Sequence, residues 1–423
     1  MSGYLISKIN IKSKTLQDLL KVLSGNIVAQ GIGFLTIIVI SRDLGADQYG
    51  IFSLLLAIFT ISVQISDFGI STSYVKYVSE NLSKSKDIFF TIIITKIILS
   101  LFIILILYFI AQDLSGFFFN TAYYTQIIQF ISFAILFHSI FSVVIANFQA
   151  QQKFKEFALL NILHNFFKFL SVMMITILFL QKHHLVYFLY TFAFSVILVL
   201  MLLVIKYKHY IKYNNLKFNF KHFIEIYKLG FWIFLSSLAV MIIMRLDIMM
   251  LQKMSSSKEV GYYSVAMNLA MIFPLITASL VTTLLPKLDE FLRSNSIKKY
   301  VYSILSKVKY VIVMLLIIEI LAPFIIKIIF GCEYHNSIKV FQILIIAFTF
   351  GIIVNPISLL FYKLNKAYWL TILNWVQLPL NYLGNLFFIP FFQAEGAALS
   401  TVLLRILAGF FIIIYFLRFK YDN

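Results

Sequence analysis

The chain has 423 residues, of which 61% are hydrophobic and only 12% charged. Water-soluble domains are about half apolar and roughly a quarter charged, so this composition excludes a soluble globular fold. The formal charge of +18 is dispersed over many short basic clusters, with no concentrated patch of the kind that reads nucleic acid.

A membrane-spanning helix needs roughly 20 mostly apolar residues, and such runs recur along the whole chain. The first six are predicted at 22–41, 51–75, 88–111, 123–149, 157–180 and 185–205. The second six are predicted at 229–251, 261–285, 308–330, 338–362, 368–390 and 396–417. Backbone polar groups in lipid must be bonded within their own segment, and the runs are too continuous for barrel strands. The expected fold is therefore an all-α integral membrane protein of about twelve helices. Residues 7–21 are polar and basic, and no small-residue cleavage site follows the first span, which reads as a retained signal-anchor.

Charge sets the expected orientation. With the N-terminus in the cytoplasm, connections on that side carry about six Lys or Arg for each one on the outer side. That is a strong positive-inside bias, and it places both termini in the cytoplasm. The inner connection 206–228 holds six lysines among Tyr207, Tyr210, Tyr213, Phe218, Phe220 and Phe223. It reads as an interfacial segment on anionic lipid, the alternative being a recruitment site for a partner protein. The lone Cys332 precludes an intrachain disulfide and reads as a filler.

Two short motifs point to an internal repeat. Tyr49-Gly50-Ile51-Phe52-Ser53 opens the second span, and Val260-Gly261-Tyr262-Tyr263-Ser264 opens the eighth, half a chain later. Six helices per half return the chain to its starting side. The expected organisation is thus two parallel six-helix lobes, 1–212 and 213–423, with a substrate site between them.

Polar residues inside spans are costly in lipid and usually face an interior or wet cavity. Asn161, His164, Asn165 and Lys168 share one face of the fifth span, and Asn374, Gln377, Asn381 and Asn385 one stripe of the eleventh, where Pro379 can bend the helix. Gln64, Asp67 and Ser71 repeat the pattern in the second span. Arg245 and Asp247 lie in the seventh, Glu319 in the ninth and Arg405 in the twelfth. The two stripes read as lining a lumen, with Lys168, Arg245 and Arg405 as cations for an anionic substrate. Isolated residues such as His138 and Gln30 read as interhelical hydrogen-bonding groups. Lys96 and Lys327, near span ends, read as snorkelling.

Catalytic and cofactor signatures are absent. The glycine spacing of 45–50 matches a phosphate loop, but Ile51-Phe52 replace the required Lys-Ser/Thr, so no nucleotide site is expected. There is no H-E-x-x-H, C-x-x-C or G-x-S-x-G, and the outer His183-His184 pair reads as structural. We therefore expect a transporter, with no metal, cofactor, nucleotide or nucleic-acid partner.

Leu23-Ser24-Gly25-Asn26, Ser41 to Gly50, and Asp247 followed by Val260-Gly261-Tyr262-Tyr263-Ser264-Val265-Ala266 together resemble the Wzx-type polysaccharide and O-antigen flippases. These belong to the multidrug/oligosaccharidyl-lipid/polysaccharide (MOP) superfamily. The resemblance implies a MATE-like, V-shaped pair of lobes, with spans one, two, seven and eight lining the cleft. It implies an undecaprenyl-diphosphate-linked oligosaccharide as cargo, membrane lipid and other polysaccharide assembly proteins as partners, and the bacterial inner membrane as location. Asp67, Asp247 and Glu319 would then be candidates for ion coupling or structural counter-ions. The alternatives are an ion-coupled multidrug antiporter of the same superfamily, a lipid II flippase, for which extra helices are expected, and a membrane polymerase or glycosyltransferase, for which a large outer loop is expected.

Overall fold

The computed structural model describes residues 2–80, 85–178, 184–207, 218–275, 277, 288, 291 and 296–418, with side chains in the first helix from residue 22. The described residues are helical throughout, with no strand: α1 Ser2–Asp67, α2 Ile70–Glu80, α3 Ser85–Phe119, α4 Thr125–Ala150, α5 Phe154–Leu178, α6 His184–Tyr207, α7 Phe220–Met254, α8 Ser257–Ala270, α9 Ile297–Leu305, α10 Val308–Ile329, α11 Ser337–Lys363 and α12 Tyr368–Arg418. A 3-10 turn, Cys332–Tyr334, joins α10 to α11. Hydroxyls on apolar spans are satisfied locally: Thr91, Thr95 and Ser100 of α3 donate to the carbonyls four residues earlier, at 2.6–2.9 Å. This explains how buried Ser and Thr residues are accommodated in such apolar helices.

Two of the helices are hairpins. The first breaks at Gly45, whose φ of 71° suits glycine. Gly25 lies on Ala158 and Gly33 on Asn165, so the first leg of α1 runs parallel to α5. After the break, Ser66 meets Ser139, Ser71 meets Ser142 and Tyr74 meets Asn147, so the second leg and α2 run parallel to α4. Helices α4 and α5 are themselves antiparallel, joined by a three-residue turn, with Phe141 against His164. The chain has therefore reversed between residues 33 and 66. In α12 the break is at Gln393 (φ 51°); Gly384 then faces Ser400 and Gly396 faces the Phe388 carbonyl, which pairs the two legs antiparallel. Pro379 does not break this helix. Each reversal is braced by a carboxylate at the start of the new leg: Glu333 accepts the Ala46 N–H at 2.7 Å and Glu259 the Ala394 N–H at 3.3 Å.

Among the described residues nine helices are long and apolar enough to cross a membrane, two of them being these hairpins. They account for every expected span except the eighth, which begins as α8 and of which residues 276 and 278–285 lie outside the described residues. The second span departs from expectation: it is broken at Phe68-Gly69, both with positive φ. The basic connection through 208–217 and His183 lie outside the described residues.

The chain forms two compact units, one of residues 1–43 and 58–238, the other of 44–57 and 239–423. In the first, Ile70, Tyr74, Val78, Ile88, Ile92 and Val143 form a buried core. Phe68 stacks between Tyr227 and Phe234 at 4.7 and 4.4 Å, and the Gly69 backbone presses on Gly230. These contacts tie the start of α7 to the first unit. In the second, the two repeat-like motifs lie against each other. A Cβ at Gly50 would strike the Ser257 carbonyl and one at Gly261 the Ala46 carbonyl, while Asn268 donates to Tyr49 at 2.9 Å. Segment 44–57 thus belongs to the second unit because small residues let backbones meet. Gly261→Val must push these backbones apart, at about 1–3 kcal/mol or more. It is expected to lower the yield of monodisperse protein from detergent extracts; an unchanged gel-filtration peak would refute so tight a contact.

Candidate functional site

The second unit contains a cavity of about 280 Å³. Asn374, Gln377 and Asn381 reach it from the first leg of α12, and Thr401 and Arg405 from the second. Asn355 and Ser358 of α11 add further polar groups, and Val240, Ile243 and Met244 of α7 an apolar wall. The local sequence dictates this arrangement. Spacing of three and four residues sets the amides on one stripe, and the fold-back at Gln393 lays Arg405 beside it. Small residues let the legs close, with Ser400 donating to the Asn381 carbonyl at 3.3 Å.

Arg405 sits with its guanidinium 4.4 Å from the centre of the Phe348 ring. That contact steadies a cation in an apolar setting, and no described carboxylate forms an ion pair with it. Next to the cavity Asp247 is fully buried. It accepts from Asn385 at 2.7 Å, from Thr401 at 2.6 Å and from the Tyr263 hydroxyl. Asn385 also donates to Asn381 at 3.4 Å, linking the carboxylate to the stripe. Arg245 keeps its buried Nε without a hydrogen bond, and it is not among the residues lining the cavity.

The first unit holds the remaining sequence candidates. Lys96 corrects the sequence reading: it is fully buried, not snorkelling, and its ammonium is paired with Asp67. Ser142 accepts from the same ammonium at 3.3 Å, and Ser71 donates to Asp67 at 2.5 Å. The charge near the end of the apolar run therefore has a partner 29 residues away, which no local pattern reveals. On α5, Asn161 and Asn165 donate to carbonyls of their own helix at 3.2 and 3.0 Å. His164 turns toward α4 and α6, 5.7 Å from the His138 ring and 3.4 Å from Ser195 Oγ. Lys168 lies 4.9 Å over the Phe192 ring, and His138 reaches the Phe192 carbonyl at 3.2 Å, the interhelical contact expected of it. Glu319 stands apart on α10, away from both clusters.

The structure thus gathers Asn374, Gln377, Asn381 and Arg405 around one cavity, with Asp247 and Asn385 bonded to its edge. Sequence reasoning missed Tyr263, Thr401, Asn355, Ser358 and Phe348. Thr401 had a signal, since it lies four residues before Arg405 and so shares its helical face.

Residues 15–292 match the family model described as polysaccharide biosynthesis protein. The chain belongs to the polysaccharide biosynthesis protein family. A comparison with curated proteins finds no match. Among solved structures, this family member resembles the lipid II flippase MurJ in an inward closed conformation (TM-score 0.75, 18% identity, 93% of this chain and 86% of that one). It also resembles an inward-facing multidrug resistance MATE family transporter of the MOP superfamily (0.71, 12%, 92% and 93%). A third is a MOP superfamily transporter from Pyrococcus furiosus (0.63, 12%, 94% and 93%). These likenesses establish a MATE-like, all-helical membrane fold for this polysaccharide biosynthesis protein.

Proposed function

We propose that the protein is a flippase that carries an undecaprenyl-diphosphate-linked oligosaccharide across the bacterial cytoplasmic membrane, from the inner to the outer leaflet, for O-antigen, capsule or exopolysaccharide assembly. The observation that carries this reading is the cavity in which Arg405 and the amides of Asn374, Gln377 and Asn381 converge inside a highly apolar unit, in a member of the polysaccharide biosynthesis family. A diphosphate meets a large desolvation barrier in hydrocarbon, which fixed cations offset. A glycan needs amide and hydroxyl partners. Arg405, Lys168 and Arg245 supply the charge, and the asparagine and glutamine side chains, with His164, the polar contacts. Asp67 and Asp247, set in hydrogen-bonded networks, are the carboxylates best placed to couple movement to an ion gradient; Glu319 is a third candidate. Tandem lobes that alternate access are part of the same proposal. An antiporter for cationic drugs is the second reading, favoured by the MATE likeness, but Arg405 in the cavity would repel such cargo.

Removing the protein from its native cell is expected to abolish surface polysaccharide and to leave lipid-linked oligosaccharide on the inner leaflet. Normal surface polysaccharide would sink the proposal. The orientation it needs has its own test. Reporters fused at Asp113, His183, Ser256, Tyr334 and Ala394 are expected outside, and those at Ser85, Asn214, Asn295 and Asn365 in the cytoplasm. An outward result at Asn214 or Asn295, in the most basic connections, would reverse it. In a Cys332→Ser background, cysteines at Asn374 and Gln377 are expected to react with a small water-soluble thiol reagent far faster than one at Leu383, which is exposed outside the cavity. Equal rates would mean that no water reaches the stripe.

A further inference from the structure

Helix α10 is bare on most of its circumference. Only Ala322 and Ile326 are buried, while Ile312, Leu316, Ile320 and Phe324 are 49–72% exposed. Such a surface ordinarily faces lipid. Glu319, however, lies midway along this helix, with about 15 Å of apolar helix on either side. Its stem is too short to bring the carboxyl to either interface, unlike Lys327 in the last turn.

No described side chain satisfies this carboxyl. Pro323, four residues on, has no N–H, so the Glu319 carbonyl loses its helical donor, and Gln342 of α11 donates to that carbonyl instead, at 3.1 Å. Among the described residues no side chain bonds or pairs with the carboxyl itself. Acyl chains offer it nothing, and a lone polar group in hydrocarbon is expensive.

We infer that this face of α10 is an interface with a second copy of the chain, related by a twofold axis along the membrane normal, in which the two Glu319 carboxyls hydrogen-bond to each other. In its acid form a carboxyl donates one bond and accepts another, so it complements itself across a twofold axis. A second copy brings the matching group to the same depth, whereas any other helix would need a donor placed there independently. Glu319 stands at the edge of the bare face: Ile312, Leu316 and Pro323 lie within about 60° of it on the exposed side and would form the apolar surround, while Ala322 and Ile326, as near on the other side, are buried.

The test uses the full chain in membranes, with Cys332→Ser and one cysteine at Leu316, beside Glu319, or at Leu321, on the far side. Oxidation is expected to give a product of twice the chain mass from Leu316→Cys and little from Leu321→Cys. Adding Glu319→Leu is expected to abolish that product, while Glu319→Gln retains it, because an amide also donates and accepts. Glu319→Ala gives the same readout if the leucine variant is poorly recovered, and gel filtration confirms that each variant is folded. The inference is overturned by no product at Leu316, by equal products at both positions, by an adduct of another mass, or by cross-linking that survives both the Leu and Ala substitutions.

Discussion

Arg405→Ala is expected to cut polysaccharide export at least roughly tenfold while protein abundance stays near that of the unmodified chain. A tenfold loss corresponds to about 1.4 kcal/mol, modest for a charge-assisted contact to phosphate. The guanidinium lies over Phe348 without a described ion-pair partner, and the nearby buried Asp247 is held by Asn385, Thr401 and Tyr263, so its removal breaks no direct salt bridge and folding should tolerate it. Arg405→Lys is expected to keep part of the activity, because charge survives although the planar fork and its stacking are lost. Arg405→Glu should be worse than alanine, since it places repulsion where cargo phosphate must pass. Lys168→Ala is expected to act in the same direction. Surface polysaccharide, measured beside immunoblotted protein, decides the matter. If Lys168→Glu and Arg405→Glu, made singly and normally expressed, both leave export intact, neither cation serves the substrate.

Features that a short window of this sequence contains are legible from the window alone. Apolar runs mark the spans, because length and hydropathy are local. The amide stripe on α12 is legible because helical periodicity turns spacing into a face. What escapes depends on distant contacts. Lys96 has the sequence surroundings of a snorkelling lysine, yet its ammonium pairs with Asp67, two helices earlier in the chain. Tyr263 reads as part of a turn motif, yet its hydroxyl serves Asp247.

The same limit applies to chain organisation. The glycines at 50 and 261 sit in similar short motifs, and nothing in the sequence indicates that they touch. The break at Phe68-Gly69 is also hidden. Glycine alone permits it, but a phenylalanine at φ 48° is held by rings contributed from α7, a tertiary override of local preference.

Substitutions at Asp247 are expected to separate coupling from architecture. The carboxylate is fully buried and accepts from Tyr263, Asn385 and Thr401. Asp247→Ala strands three donors, each at a cost of about 1–3 kcal/mol, and is expected to lower abundance sharply. Asp247→Asn keeps the volume and one acceptor oxygen, so most of the protein should still fold. It also removes the group's capacity to carry or release a cation or proton. Export by the asparagine variant is therefore expected to fall and to stop responding when an ionophore collapses the membrane gradient. The unmodified protein should lose export under the same treatment. If the residual export of Asp247→Asn still tracks the gradient, or falls only in step with protein abundance, Asp247 is a structural acceptor and coupling must lie elsewhere, with the Asp67–Lys96 pair the next position to alter.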